Sequence, residues 1–355
     1  MSPKTFPQGR SAPARLVSGL FLAAGLPLSG FGQGEELPVL QRSFAAVEKP
    51  APPFEKGVFD PKPGETIAFV GGTNTFEQDL DGFLEETFQL AWPDRDLRLR
   101  NLAWQGDTVF YQARPRFFYT KAGDPQPGSV ADSRERTTAG IVFIAFGKME
   151  SLDGPDGLSK FLDAHGELLD QLGTRTGRLV PVAPTPFFPS GPAAGLAEIR
   201  NETLAAYVAG IREIASKRGL PFVDLFTPLR GNVNPAFSAD GVHLTAAGHE
   251  AVAREFARQL KFPKEEAGGE KPAASQSLRQ AIERKNRLWQ QYYRPTNWAF
   301  LFGDRQHVPA SRDPLKREER WFLREIDSLP GLIAETESDI HRYAREAAGS
   351  EGEKR

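Results

Sequence analysis

Thr66-Ile-Ala-Phe-Val-Gly-Gly-Thr-Asn-Thr75 is the stretch on which the fold turns. Its first half is a short apolar run that stops at two glycines, the pattern of a buried strand delivering a tight turn at its C-terminal end. Working outward, Leu97-Arg-Leu-Arg-Asn-Leu102 alternates like a strand and ends near Gly106, and Ile141-Val-Phe-Ile-Ala-Phe146 is another continuous apolar run, ending at Gly147. Leu179-Val-Pro-Val-Ala183 and Phe222-Val-Asp-Leu-Phe226 repeat the theme. Helical spacing fills the intervals, from about Leu80 to Ala91, Leu158 to Leu172, Leu196 to Arg218 and Thr245 to Leu260. Such alternation predicts a parallel sheet with helices on both faces, a three-layer α/β/α sandwich. Ligands of such sheets bind beyond the carboxyl ends of the strands. Gly71–Thr75, Gly106–Thr108, Gly147–Ser151 and a turn at Asp240 fall at those ends or in loops that could join them.

The composition narrows the chemistry. The 355 residues, 39% hydrophobic and 25% charged, can bury a sizeable core. With no cysteine, the chain has no disulfide, no thiolate catalysis and no cysteine metal site. A net charge of -2 gives no electrostatic reason to expect nucleic acid or an anionic membrane as partner, and five histidines supply a metal cluster poorly. No metal and no organic cofactor is expected.

Residues 1–32 read as a signal peptide. Lys4, Arg10 and Arg15 precede the apolar run Leu16–Leu28, and small residues lead to cleavage near Gly32. An uncleaved anchor is the other reading, although the run is short and rich in Gly and Pro for a span. All three basic residues would be removed and no acidic one, so the mature chain would carry -5, and an exported, periplasmic or secreted protein is expected. Residues 33–64 form a Pro-rich, aperiodic lead-in, with the folded domain beginning at about Glu65.

Asp240-Gly-Val-His243 places a carboxylate three residues before an imidazole, on a turn that leads into an apolar-periodic helix. A carboxylate so placed can orient the ring and stabilise the imidazolium formed when the ring takes a proton, which is half of a nucleophilic triad. The alternative is structural, with His243 capping a helix and Asp240 closing a turn.

In order along the chain, Gly71-Gly-Thr73-Asn-Thr75, Asn101-Leu-Ala-Trp-Gln-Gly106-Asp-Thr108, Gly147-Lys-Met-Glu150 and Asp240-Gly-Val-His243 resemble the four blocks of the SGNH, or GDSL-type, hydrolases over roughly residues 65–262. The resemblance implies an SGNH hydrolase-like, flavodoxin-like sandwich. It also implies an esterase in which a first-block hydroxyl attacks an ester carbonyl, His243 is the base and Asp240 orients it. The oxyanion would be held by the Thr73 and Gly106 amides and a third-block asparagine. Acyl or acetyl esters, including those of polysaccharides, are the implied substrates, and no cofactor is implied.

Two positions depart from the family pattern. Thr73 stands at the serine position, where its methyl crowds the attack, and Thr73 is otherwise a turn residue; a shifted turn would bring Thr75 or Asn74 there instead. Met149 stands at the asparagine position and cannot donate a hydrogen bond. One lost oxyanion donor typically costs about 10²–10³ in turnover. A catalytically impaired protein that binds carbohydrate or a partner is therefore the alternative to an enzyme. Gln105 can replace the missing amide or face solvent, Trp104 can stack on a sugar or pack in the core, and Glu150 can be a cleft acid or a carboxylate bonding loop amides. His165 and His249 are expected at the surface.

Beyond the core, residues 263–276 read as a charged linker and residues 277–355 as a helical extension. Helices are expected over Ser277–Tyr293 and Pro314–Ala344, the second broken near Pro330, flanking an aromatic segment at Trp298–Gly303. The extension either packs against the main domain or docks a protein partner.

Overall fold

The computed structural model describes residues 43–45, 47–112, 137–231, 234–263, 273–301 and 305–352, all within one compact unit, Leu37–Arg355. The signal-like segment, most of the linker and Phe302–Gly303 lie outside them. The elements run β1 (Thr66–Gly71), α1 (Thr73–Glu77), α2 (Phe83–Ala91), β2 (Arg98–Asn101), β3 (Ile141–Ala145), α3 (Leu158–Gly173), β4 (Leu179–Ala183), α4 (Ala197–Lys217), β5 (Val223–Asp224), α5 (Phe226–Gly231), α6 (Ala246–Gln259), α7 (Ala273–Tyr293), α8 (Trp298–Leu301) and α9 (Trp321–Gly352). The five strands form a parallel sheet in the order β2-β1-β3-β4-β5.

Every residue of β1 is buried, as an uncharged strand covered on both faces should be. Its side chains alternate between two cores. Ile67 and Phe69 join Phe143 of β3, Phe88 of α2 and Phe256 of α6; Ala68 and Val70 join Ile144, Phe161 of α3 and Tyr207 of α4. Phe69 and Phe143 are partners in the parallel register, and their rings stack at 4.9 Å. Burying a side chain of this size stabilises the fold by roughly 1.5–3 kcal/mol, so a one-residue slip of β1 would lose several such terms at once.

The packed domain begins earlier than Glu65. Phe54 and Phe59 of the Pro-rich lead-in are buried, and the Phe59 ring packs against Phe88, Trp92, Phe143 and Phe262. In the described part of the lead-in the prolines limit regular backbone structure to a short 3-10 turn at Glu55–Gly57 and isolated bridges at Phe44 and Ala51, without preventing side-chain burial.

The C-terminal helices join the same fold. α7 and α9 pack on each other and on α2, while Trp289, Tyr292, Tyr293, Ile326, Leu329 and Ile333 enter the core on the Ala68/Val70 side. Lys285 of α7 is 1% exposed, and its ammonium donates to Glu85 Oε2 of α2 at 2.6 Å and to the Leu99 carbonyl of β2 at 3.3 Å. The expected break near Pro330 is absent, and α9 runs from Trp321 through Pro330 to Gly352. Proline inside a helix costs about 3 kcal/mol. Burial of Ile326 and Leu329 before it and Ile333 after it in one core offsets that cost.

Candidate active site

β1 leads directly into the first-block turn. The Gly72 carbonyl accepts from Thr75 N at 3.1 Å and Phe76 N at 3.0 Å, which starts α1 at Thr73. Gly72 leads into Thr73, and a Cβ there would lie 2.9 Å from the Asp107 carbonyl oxygen. The first and second blocks therefore touch through backbone. Of the three first-block candidates, Thr75 is buried under the strand end, Asn74 turns its amide toward Thr185 and Val242, and Thr73 Oγ1 accepts from the Gly106 N–H at 3.4 Å. Gly106 adopts φ +79°, a left-handed conformation that favours glycine.

The second block is held from behind by α7 and the residue after it. The Arg294 guanidinium donates to the Ala103 carbonyl (2.8 Å from Nε) and the Asn101 carbonyl (2.9 Å from Nη2), and Trp289 Nε1 donates to the Asn101 carbonyl at 2.8 Å. Trp104 meets Tyr293 edge to face at 6.0 Å, so its ring is engaged by the extension, while Gln105 is exposed.

In the third block, Glu150 is 5% exposed and its two carboxylate oxygens accept from Val109 N at 2.6 Å and Gly147 N at 2.8 Å. Burial pushes its carboxyl above the usual carboxylate range, against those amide bonds. The Met149 side chain is 52% exposed. Its neighbour Lys148, to which the sequence drew no attention, is buried, with its ammonium among Thr185, Pro186 and Val242.

The last block is a tightly bonded turn. His243 Nδ1 lies 2.6 Å from Asp240 Oδ2, while Asp240 Oδ1 accepts from the backbone amides of Val242 and His243, each at 2.8 Å. Burial opposes ionisation of Asp240, but the bonds from His243 and the two amides outweigh it and hold the carboxyl well below its usual range. Gly241, at φ +88°, lets the turn press against the loop after β4, where a Cβ would come 2.8 Å from the Phe188 and Ser190 carbonyls. Thr245 then caps α6 by accepting from Gly248 N. With Nδ1 directed at the carboxylate, Nε2 is the ring nitrogen left to exchange a proton. Thr73 Oγ1 is bonded to Gly106 and not to this ring.

Two other histidines differ from expectation. His165 of α3 is fully buried beside Phe161, and both its ring nitrogens lack hydrogen-bond partners among the described residues; burial, aided by the Arg218 charge, pulls its pKa down to about 4. His249 is 4% exposed and pairs with Asp81 Oδ2 at 2.7 Å. Each lies on the buried apolar stripe of its own helix, His165 with Phe161, Leu168 and Leu169, and His249 with Val252, Ala253 and Phe256. Among the described residues, no group of three or more His, Cys, Asp or Glu could hold a metal ion, and no helix is long and apolar enough to cross a membrane.

The family model of the GDSL-like Lipase/Acylhydrolase family matches residues 68–251, just over half of the chain. The chain belongs to this family. The match runs from β1 into α6 and takes in all four GDSL blocks. No curated protein matches the chain. Among solved structures, a gut microbial diltiazem-metabolizing enzyme aligns at 18% identity and TM-score 0.44 over 59% of this chain, and the alignment spans 49% of that enzyme. An acetylxylan esterase from Geobacillus stearothermophilus aligns at 18% identity and TM-score 0.44, over 59% of this chain and 100% of the esterase. For this GDSL-family member, the first-, second- and third-block stretches follow the carboxyl ends of β1, β2 and β3, and the Asp240 turn meets them through the bonds of Val242 to Asn74 and Lys148.

Proposed function

We propose that this protein is an exported ester hydrolase working through Thr73, His243 and Asp240, with acyl or acetyl esters of carbohydrates as substrates. The observation that carries the reading is the Asp240–His243 pair, bonded at 2.6 Å on a turn that Val242 joins to Asn74, next to a Thr73 hydroxyl that faces the Gly106 amide. In this mechanism Nε2 of His243 takes the Thr73 proton as Oγ1 adds to the ester carbonyl, and Asp240 stabilises the imidazolium. The carbonyl oxygen gathers charge within reach of the Gly106 N–H. The tetrahedral adduct then collapses, His243 returns its proton to the leaving alcohol, and a threonyl ester remains. Water, activated by the same ring, hydrolyses that ester and restores Thr73.

Export rests on the charged and apolar pattern of residues 1–32. The carbohydrate substrate rests on that export together with the family resemblance. Purified protein is expected to hydrolyse an aryl acetate, with turnover abolished in His243→Ala and reduced in Thr73→Ala. Turnover that survives both substitutions would remove this site from consideration.

A second reading is a carbohydrate- or partner-binding protein that retains the cleft. The exposed Met149 side chain, which has no donor to offer, favours it. Calorimetric binding of bare and acetylated oligosaccharides by a protein without turnover would select this reading, and no heat from either sugar would leave a protein partner as its only form.

A further inference from the structure

Lys148 is 7% exposed, and among the described residues no carboxylate is bonded to its ammonium. Its Nζ donates to Val242 O at 2.9 Å, Pro186 O at 3.0 Å and Thr185 Oγ1 at 3.1 Å. An ammonium has three N–H bonds, so all of them are used. Asn74, next to the proposed nucleophile, sends its amide to two of the same acceptors, Val242 O at 3.1 Å and Thr185 Oγ1 at 3.3 Å. The Phe187 and Phe188 rings lie 5.1 and 5.7 Å from Nζ and complete its enclosure.

We propose that Lys148 is a positioning residue for hydrolysis: by binding Val242 together with Thr185 and Pro186, it fastens the loop that bears His243 to the loop after β4, and so holds in place the Val242 and Thr185 acceptors to which Asn74, beside Thr73, is also bonded. The proposal rests on the ester-hydrolase reading and extends it to how the two halves of the site are joined. Val242 is bonded on both sides, its N–H to Asp240 Oδ1 and its carbonyl to Lys148 and Asn74. A shift of that peptide would move the ring of His243 with it. Lysine also makes the fastening depend on pH. Burial, opposed by the Asp240 charge, brings the Lys148 pKa down to about 7. The other charged or titratable groups nearby are His243 on the same loop, Glu150, whose carboxylate is turned to the Gly147 and Val109 amides, and Arg200 of α4, which lies over the Phe187 ring. Below a pH of about 7 the ammonium satisfies all three acceptors. Above it the neutral amine has one N–H fewer and one acceptor is released.

The test compares the full chain with Lys148→Met, which keeps length and apolar bulk beside the two phenylalanines. Hydrogen exchange is expected to quicken at least about tenfold across residues 239–245 and to stay unchanged in β1 and β3. Aryl acetate kcat is expected to fall about 10²-fold through misplacement of the ring, with KM little changed. The alkaline decline of the wild-type kcat/KM profile, beginning near pH 7, is expected to disappear. A decline that persists in the variant, or a loop whose exchange is unaltered, overturns the proposal. Exchange needs no turnover, so a quickened loop in a protein without esterase activity retains the fastening and discards the ester-hydrolase reading. If Lys148→Met fails to fold, Thr185→Val removes the shared hydroxyl instead, and unchanged exchange over residues 239–245 in that variant is equally decisive against the proposal.

Discussion

The two flanks of the cleft are built at different ranges along the chain. On the base flank, Asp240 reaches Val242 and His243 across two or three residues, so one turn contains the carboxylate, the ring and the amides that fix them. On the hydroxyl flank, Gly106 meets Thr73 from 33 residues away, and the strand end before Gly106 is held by Trp289 and Arg294 from 188 to 193 residues away. A site half assembled by local bonds and half by distant ones has unequal tolerances. The base flank carries its acid, its ring and their amides within one turn and is anchored from outside only through the Val242 carbonyl, whereas the hydroxyl flank needs the C-terminal helices in place.

The comparison breaks most visibly at Asp240. Asp240→Asn leaves the turn's shape but presents the ring in the wrong tautomer, and kcat for aryl acetate is expected to fall about 10⁴-fold. An undiminished kcat would mean that the intact-looking flank does no chemistry. On the opposite flank, Met149→Asn supplies the amide that the family pattern has there, and esterase kcat is expected to rise, by up to about 10². Because Met149 is half exposed, the change asks nothing of the core. No gain in a correctly folded variant would place the missing donor elsewhere. The smallest effect sharpens the contrast in range: Arg294→Lys keeps the charge but not the fork that spans the Asn101 and Ala103 carbonyls. Steady-state kinetics should show kcat reduced about tenfold, in keeping with a lost charge-assisted bond of roughly 1.4 kcal/mol, with the hydrogen exchange of residues 239–245 unaffected. Equal loosening of both flanks would argue that they are one unit.

The same difference in range explains what could be read from sequence. Strands β1, β3 and β4 were legible because doubly covered parallel strands are continuous apolar runs, and glycines at the ends of β1 and β3 marked the cleft edge. The Asp240 turn was legible because its partners are three residues apart. Lys148 was not, since a single lysine between a glycine and a methionine reads as a solvated loop residue, and its acceptors lie 37, 38 and 94 residues away. His165 and His249 read as surface residues only because histidine counts as polar. Each lies on the apolar stripe of its own helix, His165 with Phe161, Leu168 and Leu169 and His249 with Val252, Ala253 and Phe256, so the position and not the residue type decides its burial. Pro330 misled for a related reason, since a local rule predicted a break that distant packing overrode.

Gly72 limits what the first block can hold. The Asp107 carbonyl oxygen occupies the space that a side chain at position 72 would need. Serine fits at position 73 by loss of one methyl group, within the existing backbone. Aspartate fits at position 72 only if the second-block loop withdraws. The two changes that separate Gly71-Gly72-Thr73 from a Gly-Asp-Ser motif are therefore unequal in what they ask of the fold: one needs no movement of the backbone, and the other needs the Asp107 peptide to shift.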